Sequence, residues 1–389
     1  MPDRRTRNFD VAIIGAGPAG AAAAYTCRQN GLTVALIDKS RFPRDKLCGG
    51  LFTQRSKTHF KAVFGEDPPK DILIEKDQAQ FWHNGAALGE VRDFPPLFLT
   101  MRWDLDALMF QKACAAGAAD FSGRRVLDID TKDTFIRLDD GTVLTWNILI
   151  GADGVNSMVA KQLFGKSFEH KEIGFALEVE VPIEAETATA PVRIDFAAAQ
   201  WGYGWSFPKR KTVTVGVGGL YRYNPDMKQK LTGYLSTLGV ASADLRFKGH
   251  FIPFGSFRAR PGAGPVLLCG DAAGLVDPLT GEGIAYALQS GRLAGETAAQ
   301  VIAQGRRNRA ARVYRKKLKG LHAALRTAKM IRPVIFARRT NRLFVAAFRT
   351  SQTLKADYMR LLAGEIEYQD LGLRLLKRLP KRLIMALFR

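Results

Sequence analysis

A glycine-rich turn near the N-terminus has the residue types and the spacing needed to hold a pyrophosphate. The turn has glycines at Gly15, Gly17 and Gly20, directly after an apolar run of β-forming residues, Phe9–Ile14. The first glycine would permit a tight turn, the second would let the backbone approach phosphate, and the third would allow a helix to pack closely on the strand. The N-terminus of that helix would offer free N–H groups to the anion.

The segment after the turn ends on a carboxylate that could bind a ribose. A second apolar run, Thr33–Ile37, is followed by Asp38, 18 residues beyond Gly20, where a carboxylate can accept hydrogen bonds from ribose hydroxyls. Ala19 within the turn and Lys39 beside the acid are assigned to the same site. Strand, turn, helix, strand and acid in this order predict a dinucleotide site. The alternative is a glycine turn in an α/β fold that binds no nucleotide.

Two later segments each pair an aspartate with a glycine at the end of a strand. Asn147–Gly154 runs into Ala-Asp-Gly, and Gly264–Gly274 contains a strand, then Gly-Asp and a predicted helix start. Together with the glycine turn, they resemble the FAD-dependent monooxygenases and reductases related to aromatic hydroxylases, over residues 8–300. The resemblance implies that FAD is the cofactor and that Asp271 contacts its ribityl and pyrophosphate region. It also implies that Arg102 reaches the cofactor from a helix start. A helix N-cap for Asp271 and a surface helix position for Arg102 are the alternatives.

Three shorter motifs indicate one family within this larger group of FAD-dependent enzymes. Pro43–Gly50 matches the pattern P-x-x-K-x-C-G-G, Tyr203–Pro208 matches Y-x-W-x-F-P, and Gly274–Ile284 continues the late Gly-Asp motif. In this order they resemble the geranylgeranyl reductase family. The resemblance implies reduction of isolated double bonds in a polyprenyl chain, as in geranylgeranyl diphosphate, chlorophyll-type prenyl esters, archaeal lipids or isoprenoid quinones. Residues 46–50 match the lipid-type reductases better than the chlorophyll-type ones.

Glycines and one helix start are assigned to the flavin. Gly49 and Gly50 would let the backbone approach the flat isoalloxazine ring. Gly281 and Gly283 would do the same at the start of a helix that includes Ile284. The N–H groups of that helix could stabilise negative charge on a reduced flavin.

A cysteine and a run of aromatic residues are the candidates for contact with the substrate. Tyr203, Trp205 and Phe207 are spaced by two, so on a strand they share one face. They could line an apolar channel for a prenyl chain, or they could be sheet core. The thiol of Cys48 would lie beside flavin and substrate as a proton donor or a gate, or it could be a small buried apolar residue. The predicted catalytic residues are therefore Cys48, Gly49, Gly50, Tyr203 and Trp205.

Period-two patterning distinguishes a second region from the cofactor segments. Apolar residues alternate with polar or small ones in residues 173–181, 192–196 and 213–217, which favours an antiparallel sheet with one covered face. The predicted fold is α/β, with a Rossmann-type FAD-binding domain, an antiparallel-sheet substrate domain and a C-terminal helical extension. The predicted bounds are 1–70, 97–165 and 261–300 for the discontinuous FAD-binding domain, 71–96 and 166–260 for the substrate domain, and 301–389 for the extension.

Positive charge is concentrated in the C-terminal extension. Residues 301–389 hold 23 Lys and Arg against four Asp and Glu, in a chain of net charge +21. Helical spacing separates a basic face from an apolar face, with Arg338, Arg339, Arg342 and Arg349 on the first and Phe336, Leu343, Phe344 and Phe348 on the second. Leu371–Arg389 repeats the mixture of leucines and basic residues.

A basic amphipathic helix suits an anionic membrane surface. The interpretation is a cytoplasmic protein that is peripheral on the inner face of the membrane. The alternative is a helical cap packed on the core with a solvated basic face. No nucleic-acid-binding motif accompanies the charge, so nucleic acid is not an expected partner.

Two function classes compete for this cofactor. In a prenyl reductase, reduced FAD delivers hydride to one alkene carbon and an acid protonates the other. A flavin-dependent monooxygenase or halogenase would use the same cofactor with oxygen, and the Cys48-Gly49-Gly50 segment favours the reductase. The four cysteines and few histidines show no metal-ligand spacing, so no metal site is expected. There is no second glycine turn for a separate nicotinamide domain, and the electron donor can be NAD(P)H, a ferredoxin or a flavodoxin.

Overall fold

Three β-sheets with helices packed on them organise the chain. The computed structural model describes residues 6–92, 94–183 and 189–370. The strands are β1 (Thr6–Ile14), β2 (Val34–Asp38), β3 (Leu51–Phe52), β4 (Ile74–Lys76), β5 (Ala79–His83), β6 (Ala86–Val91), β7 (Leu97–Leu99), β8 (Ala119–Ser122), β9 (Val126–Asp130), β10 (Phe135–Leu138), β11 (Val143–Gly151), β12 (Gly174–Pro182), β13 (Val192–Asp195), β14 (Gly202–Pro208), β15 (Thr212–Leu220), β16 (Lys248–Ile252), β17 (Gly262–Ala263) and β18 (Val266–Leu268). The helices are α1 (Pro18–Gln29), α2 (Gln54–Phe64), α3 (Arg102–Ala115), α4 (Met158–Phe164), α5 (Met227–Thr237), α6 (Ile284–Ala303), α7 (Ala310–Lys317), α8 (Lys319–Phe336), α9 (Arg338–Thr350) and α10 (Gln352–Ala363). Within the described residues, no helix is both long enough and apolar enough to span a bilayer.

The largest sheet has the order β17-β18-β11-β1-β2-β8 and carries the glycine turn. Its central strands are parallel, since β1 pairs with β11 and β2, β2 with β8, and β11 with β18. Val11, Ala12 and Ile13 on β1 are fully buried, as is typical of a central strand in a parallel sheet. The predicted Rossmann-type FAD-binding architecture is confirmed.

The second sheet has the order β16-β12-β15-β14-β13-β5-β6 and is antiparallel except where β13 pairs with β5. Its outer face, with Val179, Val215 and Val217, packs under α5. Its inner face, with Ala176 and Trp205, belongs to a core shared with α8, α9 and α10. The antiparallel-sheet substrate region is confirmed, but both faces are covered rather than one. The alternation of residues along a strand does not reveal a cover that comes from a distant part of the chain.

The amphipathic helix predicted near residue 340 is α9, and most of its apolar face is packed inside the protein. Phe348 is fully buried and contacts the rings of Phe81, Phe196 and Tyr358 edge-on. Leu343, predicted on the same face, is 55% exposed. The helical extension therefore covers the second sheet, and the basic side chains of α9 face solvent.

The strands group by region of the chain. Those of the largest sheet come from residues 6–151 and 262–268, and those of the second sheet from residues 79–91 and 174–252. The small third sheet, β3-β7-β4, joins residues 51–52, 97–99 and 74–76. The exact domain bounds stay a prediction. The basic and leucine-rich repeat predicted at Leu371–Arg389 lies outside the described residues.

Candidate functional site

One cavity brings almost all the predicted site residues together. It has a volume of about 650 Å³ and extends from the glycine turn to the inner face of the second sheet. The predicted residues that line it are Gly15, Gly17, Ala19, Asp38, Lys39, Cys48, Gly49, Gly50, Arg102, Tyr203, Trp205, Asp271, Gly281, Gly283 and Ile284. The geometry assembles these residues, and their individual roles stay predictions.

The three glycines of the turn differ in what an added side chain would contact. Gly15 has a φ of 97°, and a Cβ there would lie 2.3 Å from the carbonyl oxygen of Ala152. A Cβ at Gly20 would lie 1.7 Å from the carbonyl oxygen of Gly15. Gly20 thus lets α1 pack on the turn, and it is not among the residues that line the cavity. Gly17 is the one of the three whose Cβ would meet charged side-chain groups.

Two guanidinium groups converge on Gly17. A Cβ there would lie 3.4 Å from Arg44 Nη2 and 3.8 Å from Arg102 Nη2. Arg102, the first residue of α3, donates two hydrogen bonds of 2.6 Å to Asp106, and Arg44 lies 3.0 Å from the same fully buried carboxylate. Two positive groups against one carboxylate leave a net positive charge beside the turn. Arg44 was missed by the sequence analysis, although it stands inside the Pro43–Gly50 motif.

Asp38 braces the turn from the end of β2. Its Oδ2 accepts a hydrogen bond of 2.9 Å from the N–H of Ala16, and its Oδ1 accepts one of 2.9 Å from the N–H of Ser40. A carboxylate has further lone pairs, so these bonds leave acceptor capacity for a ribose. Lys39 is exposed at the rim of the cavity.

The late motif forms a loop that ends at the start of α6. Gly283 is the N-cap of α6, which begins at Ile284, and Gly281 has a φ of 73°. Asp271 stands in a short 3₁₀ turn at residues 270–273 rather than at the start of a long helix, so the alternative of a helix N-cap does not apply, and its contact with the cofactor stays a prediction. Its Oδ1 lies 3.6 Å from the position a Cβ would take at Gly283. Both groups face the same part of the cavity.

The loop at residues 48–50 packs on the second sheet. A Cβ at Gly49 would lie 3.0 Å from Trp205 Nε1. Gly50 has a φ of 84°, and a Cβ there would lie 2.1 Å from the carbonyl oxygen of Thr100. The N–H of Gly50 donates to Cys48 Sγ at 3.4 Å. Gly50 is therefore required by its φ and by contact with the protein itself, and Gly49 is tightly packed; both reasons differ from the predicted approach to a flavin ring.

The aromatic residues of β14 wall the cavity opposite this loop. Tyr203, Trp205 and Phe207 all line it, as their spacing predicted. The hydroxyl of Tyr203 donates to the carbonyl oxygen of Thr280, which ties the strand to the late loop. Trp205 and Phe207 also belong to the buried core of the second sheet. The stripe therefore lines the cavity and is also sheet core, and its contact with a prenyl chain stays a prediction.

Further cavity residues were missed by the sequence analysis. Lys46 contacts His250 across the cavity wall, and burial lowers the pKa of Lys46 to about 8. Burial also lowers the pKa of His250. Lys46 is the lysine of the P-x-x-K-x-C-G-G motif and could have been found there. No local pattern singles out His250, or Leu362 of α10, which also lines the cavity.

These features fit FAD. The turn at Gly17 with its two arginines offers backbone N–H groups and positive charge to a pyrophosphate. Asp38 lies where a ribose would bind, and the start of α6 presents N–H groups to the other end of the cavity. The Cys48–Gly50 loop and the aromatic residues of β14 lie side by side and together line this part of the cavity.

Comparisons with known sequences agree with this fit. Residues 8–199 match the family model described as FAD binding domain. The chain is 31% identical over 325 residues to an uncharacterised protein of Methanosarcina barkeri, with 82% of each chain covered. It is 31% identical to a menaquinone reductase of Mycolicibacterium smegmatis, with 74% of this chain and 75% of the relative covered. It is 30% identical to a geranylgeranyl diphosphate reductase of Rhodobacter capsulatus, with 77% of each covered.

Solved structures share the fold. A geranylgeranyl bacteriochlorophyll reductase-like protein from Thermoplasma acidophilum superposes with a TM-score of 0.74 at 18% identity, with 92% of each chain covered. The flavin-dependent brominase Bmp2 superposes with a TM-score of 0.73 at 20% identity, with 92% of this chain and 94% of the brominase covered. At these identities the likeness concerns the fold alone.

Proposed function

This chain belongs to the geranylgeranyl reductase family of FAD-dependent oxidoreductases, and from that premise we propose that it saturates isolated double bonds in a polyprenyl lipid. The substrate would carry a geranylgeranyl-type chain or be an isoprenoid quinone. Relatives named menaquinone reductase and geranylgeranyl diphosphate reductase support this substrate class. A flavin-dependent monooxygenase or halogenase is the competing function, since halogenases share the fold.

The observation that carries the proposal is the apolar wall facing the Cys48–Gly50 loop. Tyr203, Trp205 and Phe207 line the cavity together with Ala176, Ile252 and Leu362. A prenyl chain offers little to hydrogen-bond, so it needs apolar surface on which to lie. A stripe of aromatic and aliphatic side chains beside the predicted flavin position supplies that surface.

The protein residues would divide the work of the reaction. FAD, when bound and reduced, would supply a hydride for one alkene carbon, and the other carbon would take a proton. The guanidinium groups of Arg44 and Arg102 would hold the pyrophosphate, and the N–H groups at the start of α6 would face the ring. The aromatic wall would exclude water from the cation-like centre that forms as the alkene is protonated. Cys48 lies where it could pass on the proton or shape the space for the chain.

An anaerobic experiment separates the two functions. FAD in the purified protein is reduced with dithionite without oxygen, so that the result does not depend on whether NAD(P)H, a ferredoxin or a flavodoxin is the natural donor. Geranylgeranyl diphosphate, which has no quinone ring to accept the electrons, is then added. We expect the flavin absorbance to return and mass spectrometry to find product heavier by two hydrogens per bond reduced. Turnover that strictly requires oxygen would contradict the reductase and support the monooxygenase or halogenase.

The basic side chains of the C-terminal extension would hold the protein on an anionic membrane, where polyprenyl lipids dissolve. Residues 301–370 carry 17 Lys and Arg against four Asp and Glu. The arginines of α9 and the side chains of Met330 and Leu343 are exposed. Attraction of basic residues to anionic lipid, together with exposed apolar side chains, is a recognised combination for peripheral binding. A position on the inner face of the membrane follows from this proposal.

A further inference from the structure

A buried carboxyl group lies directly beneath the Cys48–Gly50 loop. Glu178 is on β12, on the inner face of the second sheet, and is 3% exposed. Its Oε1 accepts a hydrogen bond of 2.9 Å from the N–H of Cys48, 130 residues away in the chain. Its Oε2 is buried and has no hydrogen-bond partner among the described residues. The carboxyl group thus holds the loop with one oxygen, and its other oxygen accepts no hydrogen bond from the described residues.

The residues packed around Glu178 leave space for its carboxyl group but keep water away from it. A Cβ at Gly216, on the adjacent strand, would lie 2.2 Å from the Trp205 ring and 2.9 Å from Glu178 Cβ. The indole Nε1 of Trp205 is likewise buried without a partner. An incompletely paired carboxylate inside a protein costs several kcal/mol, so an apolar residue here would be the more stable choice. Such a cost is typical of functional sites.

The charges that face Glu178 come from several elements. Burial raises the pKa of Glu178 to about 7, and the nearby charge of Glu180 also raises it. Lys209, the Cys48 N–H and Lys248 act in the opposite direction and lower the pKa. Glu180 is on β12, Lys248 is on β16, and Lys209 follows β14. The buried amine of Lys209 lies 3.7 Å from Glu180 and would lie 2.9 Å from a Cβ at Gly50. The charged side chains around Glu178 therefore lie next to the loop both at Cys48, through Glu178, and at Gly50, through Lys209.

A second buried acid near the cavity is held differently. The Oε1 of Glu282 accepts hydrogen bonds from the hydroxyls of Thr53 and Ser56, and its Oε2 lies 3.8 Å from Arg55 Nε. Both of its oxygens are therefore engaged. Glu178 is the acid that combines a bond to the Cys48 loop with an unpartnered oxygen.

We propose that Glu178 is a positioning residue of the flavin site: its carboxyl anchors the Cys48–Gly50 loop, and its ionisation sets how firmly that loop is held. The loop lines the cofactor cavity at Cys48, Gly49 and Gly50. Its position would govern both the affinity for FAD and the accessibility of the thiol. The inference goes beyond the proposed function, because it holds for a reductase and for a monooxygenase alike.

The direction of the effect follows from reciprocity. The Cys48 N–H lowers the pKa of Glu178, so it binds the carboxylate more strongly than the neutral acid. Ionisation must then strengthen the hold on the loop by the same free energy. The loop is therefore held more firmly above about pH 7 than below it.

The test measures FAD affinity and Cys48 reactivity in the full chain at about pH 6 and about pH 8, on either side of this ionisation. Glu178→Ala removes the acceptor, and we expect the FAD dissociation constant to rise about tenfold at about pH 8 and about threefold at about pH 6, where the neutral acid holds the loop less firmly. Alkylation of Cys48 by iodoacetamide, read by peptide mass spectrometry, should be faster. Glu178→Gln keeps an acceptor oxygen without the charge. It should match the unsubstituted protein at about pH 6 and bind FAD about threefold more weakly at about pH 8.

The control is Glu90→Gln, an exposed position on β6, which should leave both measurements unchanged. Unaltered FAD affinity and unaltered Cys48 reactivity in Glu178→Ala would overturn the proposal. If that variant does not fold, the Gln variant decides alone: the same ratio to the unsubstituted protein at both pH values would refute the role of ionisation. Neither readout involves the lipid substrate, so failure here is distinguishable from failure of the proposed function.

Discussion

At the scale of single residues, the site depends on positions where a Cβ or a charge cannot be changed without consequence. Gly15 and Gly20 are required by contacts within the turn, whereas a Cβ at Gly17 would make only ordinary contacts and would occupy the space beside the two arginines. Cys48 and Glu178 meet at one hydrogen bond that joins the Cys48–Gly50 loop to β12 of the second sheet. Substitutions at these positions should therefore separate cofactor binding, loop position and chemistry.

The glycine turn gives the most direct test of cofactor binding. In Gly17→Val, the branched side chain would occupy the space 3.4 Å from Arg44 Nη2 where a phosphate would lie. We expect soluble, folded protein that purifies without the yellow flavin spectrum. Gly233→Ala on α5, where a Cβ would meet nothing within 4 Å, is the control and should keep the spectrum. A full complement of flavin in Gly17→Val would show that the turn does not hold the cofactor.

Cys48 can be assigned by comparing two substitutions. If the thiol only shapes the cavity, Cys48→Ala should change which double bonds are reduced, or how many, and leave the rate of the first reduction within about threefold, since less than about 1 kcal/mol is lost. We expect this outcome, because an isolated thiol is a weak acid for protonating an alkene. If the thiol donates the proton, Cys48→Ser should keep flavin reduction normal and lose most turnover. Mass spectrometry of the products from both variants distinguishes the two roles.

Glu282 gives a pH-dependent stability that can be measured without substrate. Burial raises the pKa of Glu282 from 4.5 to about 7, so its neutral form is favoured in the folded state. Its contribution to stability is present below about pH 4.5 and is lost as the pH rises through about 7. The melting temperature of Glu282→Gln relative to the unsubstituted protein should rise across this window, because the unsubstituted protein loses on the order of 3 kcal/mol of stability at most. A difference that is flat with pH would contradict the assignment.

At the scale of elements, the end of the described chain is attached to the late loop at the flavin site. Tyr368, just after α10, donates a hydrogen bond of 2.6 Å to Asp277, which is 2% exposed. Asp277 in turn accepts from the backbone N–H groups of Leu279 and Thr280. Arg55 at the start of α2 links Glu282 and Glu367. The C-terminal helices therefore hold the loop that presents Gly281 and Gly283.

Removing one hydroxyl tests this link. Tyr368→Phe would leave the Oδ2 of Asp277 with the weaker contact to Tyr286, at 3.4 Å. A buried acceptor that loses its partner costs about 1–3 kcal/mol, so the melting temperature should fall and FAD should bind more weakly. Tyr221→Phe, at a 46% exposed position, is the control. Normal flavin affinity in Tyr368→Phe would show that the C-terminal segment does not position the late loop.

At the scale of the whole molecule, positive charge is concentrated in one segment of the chain. Residues 297–356 contain sixteen Lys and Arg and no Asp or Glu. Few of these basic residues have an ion-pair partner among the described residues, such as Lys317 with Glu296 and Lys329 with Glu172. The apolar face of α9 is largely buried by the second sheet, so membrane binding would rest mainly on the exposed charges.

Vesicle sedimentation tests the proposed membrane contact. The protein should bind vesicles that contain anionic phosphatidylserine or phosphatidylglycerol at low salt and be released at high salt. Reversing the charge at Arg338, Arg339 and Arg342 to Glu should weaken binding more than tenfold, since each basic residue near the surface contributes about 1 kcal/mol. The control reverses Lys61, Lys70 and Lys132, which are exposed on other parts of the protein. Equal binding by both variants would contradict a contact through α9.

The sequence by itself determined the features that are local or periodic. The glycine turn, the strand that ends at Asp38 and the common face of Tyr203, Trp205 and Phe207 depend on neighbouring residues, because backbone geometry fixes them within a few positions. The motifs around Cys48 and Gly281 indicated the family on the same basis. Most predicted site residues therefore line one cavity.

Only the tertiary structure decided which distant groups meet. Glu178 of β12 lies beneath the loop of Cys48. His250 and Leu362 reach the cavity from β16 and α10, and most of the apolar face of α9 packs on the second sheet. The alternation of residues along a strand says that two faces differ, but not what will cover each face. Gly49 was assigned to the flavin ring, whereas tight packing against Trp205 gives a further reason for a glycine there. Such contacts depend on packing between segments far apart in the chain, which no local pattern records.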